Sequence, residues 1–158
     1  MKTELKQYTI AEICNGFVYN EYEGKGLYGL GGKLTIQPEY QRHYLYAENG
    51  GKKEVDVIQS VLNGYPLGLI YFSKVGEDKY EVLDGQQRTL SLCSFMDGDF
   101  SVDEMTFDNL PKDKQDDIRN YELFIYICNG TESEKLEWFK IINIAGEKLT
   151  DQELRNAV

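Results

Sequence analysis

Apolar positions along this chain switch several times between helical and alternating spacing, and the switches mark out its elements. From Glu54, the residues Val55, Ile58, Val61 and Leu62 recur at helical intervals, and Gly64 follows as a stop. Pro66 leads into a strand, Leu69 to Ser73. The Gly76-Glu77-Asp78-Lys79 segment then turns the chain into a second strand, Tyr80 to Leu83, and the two predict a hairpin. A helix is predicted from about Gln86 to Met96, with Leu90, Leu92 and Cys93 facing inward. Pro111 opens a polar helix reaching about Arg119, and the β-branched and aromatic run Leu123 to Cys128 predicts a buried strand. Upstream, strand-like runs between Phe17 and Ile36 surround a Gly-rich stretch, Glu23 to Gly32, and predict a hairpin with a loose tip.

Three further helix starts carry capping boxes, in which a Thr caps and a Glu three residues later reaches back: Thr9 with Glu12, Thr131 with Glu134, and Thr150 with Glu153. The first helix should end near Gly16. The second should carry Leu136, Phe139 and Ile142 on its inner face and close near Gly146. The third is cut short at Val158, so the sequence is expected to continue in a longer protein. Strands mixed with helices, without strict βαβ alternation, indicate an α+β fold. No repeat or linker divides the chain, so residues 1–158 are expected to form a single domain.

Composition narrows the functional classes. The best apolar run, Leu67 to Phe72, suits a buried strand and is far short of a membrane span; no apolar signal region follows Met1 to Lys6. A cytoplasmic protein is expected. Cys14, Cys93 and Cys128 lie far apart in apolar contexts and read as packed, reduced thiols. His43 is the one histidine, and without a CxxC pair a zinc centre or a His-based triad has little to build on. The formal net charge of −10 argues against a domain that grips a DNA backbone by itself, because phosphate neutralisation supplies most of that affinity. Asp99, Asp103, Glu104, Asp108, Asp113 and Asp116 form a predicted solvated acidic face.

The most informative junction is Asp84-Gly85-Gln86-Gln87-Arg88-Thr89, where a strand ends, a glycine permits a sharp turn and a helix begins. Main-chain N–H groups at a helix start attract anions, phosphate above all. Gly85 lets a phosphate approach closely, Arg88 supplies charge-assisted bonds, and Gln86 or Gln87 can orient a water or a base. Asp84 would repel a phosphate unless Mg²⁺ lay between them. The competing explanation needs no ligand: Asp84 with Gln87 is itself an Asp-x-x-Gln cap.

Two other segments add polar and aromatic groups. In Tyr40-Gln41-Arg42-His43-Tyr44, Gln41 and Arg42 can contact a phosphate or a base edge, while Tyr40 or Tyr44 can stack on a ring. Asn143 stands at a predicted helix end, as either a ligand-facing amide or a C-terminal cap ahead of Gly146. The Gly29 to Lys33 stretch lacks the spacing and the final Ser or Thr of a Walker loop. Glu77-Asp78-Lys79 lies in a turn with no Pro-Asp before it, and one histidine cannot make a His-Asn-His centre. No nuclease centre is expected in this segment.

Together these segments resemble the motif set of the N-terminal domain of GmrSD-type, modification-dependent restriction endonucleases. The matching blocks are Tyr40-Gln41-Arg42, Gly64-Tyr65-Pro66, Asp84 to Arg88, Ile142 to Leu149, and Glu153 to Ala157. Two departures stand out: Tyr44 and Tyr46 lie where the family often has Trp, and the Gly-rich hairpin is long. The resemblance implies a ParB/sulfiredoxin-like α+β fold and a nucleoside triphosphate bound and hydrolysed at the Asp-Gly-Gln-Gln-Arg block. Asp84, Gln86, Gln87 and Arg88 would then be catalytic. Gly85, Arg88, Thr89, Tyr40, Gln41, Arg42 and Asn143 would bind the nucleotide, with Mg²⁺ at Asp84. It further implies DNA sensing through the full-length protein and a separate C-terminal nuclease domain, in the setting of phage defence. A non-catalytic module, reading DNA or a partner chain through the same pocket, is the alternative; a purely structural domain is the third reading.

Overall fold

The structure, a computed structural model, describes residues 1–20, 25–36 and 52–141. Tyr40, Gln41, Arg42, His43, Tyr44, Asn143 and the third capping box lie outside the described residues. The described strands are β1 (Lys2–Thr9), β2 (Val18–Asn20), β3 (Lys25–Gly29), β4 (Leu34–Thr35), β5 (Ile70–Gly76), β6 (Lys79–Asp84) and β7 (Glu122–Asn129). They form one mixed sheet in the order β1-β7-β5-β6-β4-β3-β2. The helices are α1 (Ile10–Cys14), α2 (Lys52–Leu62), α3 (Gln86–Met96), α4 (Lys112–Asn120) and α5, residues 132–141. This is the expected α+β architecture.

The two faces of the central strands have different chemistry. β5 and β7 run parallel, with Ile70 beside Ile125 and Phe72 beside Ile127; these four side chains are buried. On them pack Ile10 and Ile13 of α1, Ile58 and Val61 of α2, and Leu90, Leu92 and Phe95 of α3. The alternate positions, Tyr71 beside Tyr126 and Ser73 beside Cys128, belong to the opposite face by the two-residue period of a strand. The α5 helix lies on that face, because its Lys135 and Trp138 reach Ser73 and Tyr71.

The long β5–β6 hairpin and the helix Gln86–Met96 follow the sequence expectation. α3 is nevertheless more enclosed than a surface helix: Gln86, Thr89, Ser91 and Ser94 are buried along with its apolar residues. Its sequence lacks a clean polar face for this reason, since it contacts α1 and α2 while Phe95 packs on Phe100 and Phe107. The Thr9 and Thr131 capping boxes form as expected, each Glu receiving the backbone N–H of its Thr at 3.0 Å. Among the predicted acidic residues, Asp99, Asp103, Glu104, Asp108 and Asp113 are exposed, whereas Asp116 is half-buried and pairs with Lys112 and Arg119.

Three local expectations are corrected. β1 was not anticipated, because its alternation of Lys2, Glu4 and Lys6 with Thr3, Leu5 and Gln7 carries little apolar content. Backbone pairing with β7 makes it a strand. Leu136 does not face inward but is 55% exposed, and the buried residue of that turn is Lys135. Its ammonium donates to Ser73 Oγ at 2.6 Å, to the Lys74 carbonyl at 3.1 Å and to Glu132 at 3.3 Å, so the charge enters the interior fully hydrogen-bonded. Finally, Asp84 does not cap α3. The N-cap is Gly85, with no side-chain capping bond. No described helix is long and apolar enough to cross a membrane.

Removing the Thr9 cap by Thr9→Ala should cost about 1 kcal/mol in urea unfolding, with the slope unchanged. At the start of α5, Glu134 accepts from the Met1 ammonium at 2.6 Å and from Thr131 N–H at 3.0 Å. The ammonium first and the Thr131 contacts second lower its pKa from 4.5 to about 2. A carboxylate depressed in the folded state stabilises above its unfolded pKa and loses that contribution as pH falls. Wild type should therefore melt above Glu134→Gln at pH values over 4.5, and the difference should vanish as pH approaches about 2.

Candidate functional site

Asp84 ends β6 and Gln86 begins α3, so the whole reversal from strand to helix falls on Gly85. Its φ of 98° lies in the left-handed region, and a Cβ there would sit 3.0 Å from both Cγ atoms of Ile70. Glycine is required on both counts. Thr89 secures the corner from beneath. It is fully buried, and both its N–H, at 3.0 Å, and its hydroxyl, at 2.9 Å, donate to the Gly85 carbonyl.

A bulge aims the carboxylate. Val82 pairs with Phe72, yet Asp84 rather than Leu83 pairs with Tyr71. The extra residue places Asp84 opposite Tyr71; without it, the carboxylate would fall opposite Ile70, whose side chain is in the core. Bulges re-aim side chains in this way next to functional sites, and this one keeps a charge out of the apolar interior.

Arg88 returns from the first turn of α3 across the corner. Its Nη1 donates to the Leu67 carbonyl at 2.5 Å. A Cβ on Gly68 would meet Nη1 at 3.2 Å, and one on Gly85 would meet Nη2 at 3.3 Å. The guanidinium is thus seated between two positions that lack side chains. It is half-buried, and among the described residues no carboxylate forms an ion pair with it. Of its neighbours, Asp84 is half-buried, Gln86 is only 6% exposed, and Gln87 is half-buried with its amide oxygen enclosed.

An aromatic wall borders this corner. The Tyr71 ring stacks on Tyr126, with centroids 5.6 Å apart, and meets Trp138 at 4.7 Å in a tilted arrangement. Burial first and the Asp84 carboxylate second push the Tyr71 phenol up from 10.0, while Arg88 acts in the opposite direction. Tyr71 therefore feels both charges of the corner. Further along the same face, burial raises the Cys128 thiol, and Lys135 works against that rise.

The structure brings together Asp84, Gly85, Gln86, Gln87, Arg88 and Thr89 at one corner. It adds Gly68, Tyr71, Tyr126 and Trp138, which the sequence reading did not single out. A signal for two of these was present: Tyr71 and Tyr126 each follow an isoleucine in a strand, so both must face away from the core. Nothing in the sequence marked Gly68 as part of the Arg88 seat, because that role depends on a contact twenty residues away. Among the described residues no group of three or more His, Cys, Asp or Glu side chains is placed to hold a metal ion.

Comparison with protein families yields a match. The family model described as the N-terminal domain of GmrSD restriction endonuclease covers residues 24–158, which include the hairpin, the corner, the aromatic wall and α5. No curated protein and no solved structure was found to match the chain. The family model spans most of the sequence and contains every residue of the corner, so the chain belongs to the GmrSD restriction endonuclease N-terminal domain family.

Proposed function

We propose that the Gly85 corner binds and hydrolyses a nucleoside triphosphate, and that the domain uses this site to regulate a DNA-sensing restriction endonuclease in phage defence. One observation carries the reading: the Arg88 guanidinium is held at a helix start beside a glycine corner, with no described carboxylate neutralising it. A fixed planar fork beside first-turn amides suits a phosphate group. Nη1 already serves the Leu67 carbonyl, so the remaining donors of the fork are the ones that meet the ligand.

Asp84 fits a role with Mg²⁺ in its donor chemistry. A single carboxylate is what this ion commonly takes from a protein when nucleotide phosphates and water complete its shell. When bound, the ion would neutralise phosphate charge. The chain's own residues do the rest: Arg88 and the helix start hold the phosphates, Gly85 allows their approach, and Thr89 fixes the corner's shape. Gln87 and Gln86 orient the attacking water or the substrate. Phosphoryl transfer depends on positioning and charge stabilisation more than on a strong base, so the described corner does not need a histidine for this chemistry. The wall of Tyr71 and Trp138 offers an aromatic surface for the base or sugar; Tyr40, Gln41, Arg42 and Asn143, outside the described residues, are assigned further nucleotide contacts on the family motif alone.

DNA recognition and cleavage are assigned to the full-length protein, with a nuclease domain downstream. The net charge of −10 gives this domain little general attraction for a phosphodiester backbone. The enclosure of Gln86, at 6% exposed, favours a second reading in which the corner binds its ligand without turnover and acts as a recognition module.

Phosphate release with Mg²⁺ and nucleoside triphosphate should fall at least ~100-fold in Arg88→Ala, given the usual value of one preorganised charged donor. Equal rates in wild type and variant remove the hydrolysis reading. If neither protein turns over but only wild type retains nucleotide in equilibrium dialysis, the recognition reading stands instead. Gly85→Ala should be destabilised by more than Gly98→Ala. Both positions have positive φ, worth roughly 1–3 kcal/mol of strain, but only the Gly85 substitution also meets Ile70 and Arg88. Matched denaturation curves for the two variants test this difference.

A further inference from the structure

Cys14 closes α1 and Cys93 lies about two turns into α3. Far apart in sequence, their sulfurs stand 2.8 Å from each other, with the Cys93 thiol donating to Cys14 Sγ. Both are free thiols. The two are not equivalent. Cys93 is 1% exposed, whereas Cys14 is half-buried, and both line an open hollow of about 380 Å³. Ala11, Asn15, Gly16, Phe17, Met96 and Asp97 complete the hollow.

We propose that Cys14 and Cys93 form a peroxide-responsive dithiol, which closes reversibly to a disulfide joining α1 to α3. A disulfide needs its sulfurs about 2.05 Å apart, so the two sulfurs have less than about 1 Å left to close. Cys14 is the more exposed sulfur of the two, so a small oxidant entering the hollow meets it first. The Cys14 thiolate attacks the peroxide O–O bond, forms a sulfenic acid and releases hydroxide. The Cys93 sulfur then attacks the Cys14 sulfur, and the Cys93 proton leaves with the sulfenic hydroxyl as water; the proton that Cys14 gave up converts the released hydroxide to the second water. In balance, two thiols lose two electrons and two protons, and one hydrogen peroxide becomes two waters. Burial raises the Cys93 thiol well above its usual range, which keeps it protonated until the sulfenic acid has formed beside it. Cys128, 1% exposed and without this partner, stays out of the exchange.

The geometry ties this bond to the corner, because the helix it braces is the one that begins at Gly85. In the whole chain, titration of thiols under denaturant should give three before treatment and one after stoichiometric hydrogen peroxide, returning to three with dithiothreitol. The intact mass should fall by about 2 Da, and proteolysis should yield a crosslinked peptide pair containing Cys14 and Cys93. Cys128→Ser should behave as wild type; Cys14→Ser and Cys93→Ser should each lose the crosslink. Three titratable thiols after peroxide, a crosslink that includes Cys128, or a gain of oxygen mass that dithiothreitol does not reverse would each overturn the proposal. The first two measurements use only the wild-type chain, so they decide the matter even if a Ser variant fails to fold.

Discussion

A guanidinium held between two glycine α-carbons is the contact on which the site's geometry depends. Gly68 and Gly85 both have positive φ and stand on the approaches to Arg88, so side chains there would strain the backbone and crowd the fork. The Leu67 carbonyl fixes one nitrogen, and the Gly85 carbonyl is in turn held by Thr89. These constraints support one another. The turn sets the start of α3, the start of α3 sets the position of Arg88, and Arg88 reaches back to the segment leading into β5. A change at any of these points propagates into the others.

The sheet carries the corner through a division of labour between its faces. Ile70, Phe72, Ile125 and Ile127 supply the apolar side that packs on the helices and holds α3 in place. The other side supplies Tyr71, Tyr126 and Ser73, which receive α5 through Trp138 and buried Lys135. The bulge before Asp84 joins the two halves of this arrangement. It ends the apolar alternation of β6 and turns the carboxylate to the polar aromatic side. A protein of net charge −10 thereby keeps one cation poised at a helix start, which suits a small anionic ligand better than a long nucleic-acid backbone.

The residues that specify the elements locally were the readable ones. Glycine and proline punctuation bounded the β5–β6 hairpin and α4, and the turn at Gly85 was evident from a strand meeting a polar helix start. Capping boxes located α1 and α5 because their two hydrogen bonds lie within four residues. The less legible features depend on distant partners. β1 is a strand because β7 offers it a ladder, and Lys135 is inside because Ser73 and the Lys74 carbonyl are there to receive it. An Asp-x-x-Gln spacing resembles a cap, but the bulge retains Asp84 in the ladder opposite Tyr71 and leaves capping to Gly85. The candidate corner was legible as a motif, and Tyr71 and Tyr126 as positions facing away from the core, while Trp138 against Tyr71 and the Gly68 seat of Arg88 emerged only from long-range contacts.

The central claim, that the Gly85 corner receives a phosphate-bearing ligand, is tested most directly by amide-resolved NMR during titration with a non-hydrolysable nucleoside triphosphate and Mg²⁺. The account predicts that the largest shift changes fall on the backbone amides of Gly85 to Arg88 and on the Trp138 indole, with saturation at a single site. Changes confined to other elements, or uniform small changes that track ionic strength alone, would contradict it.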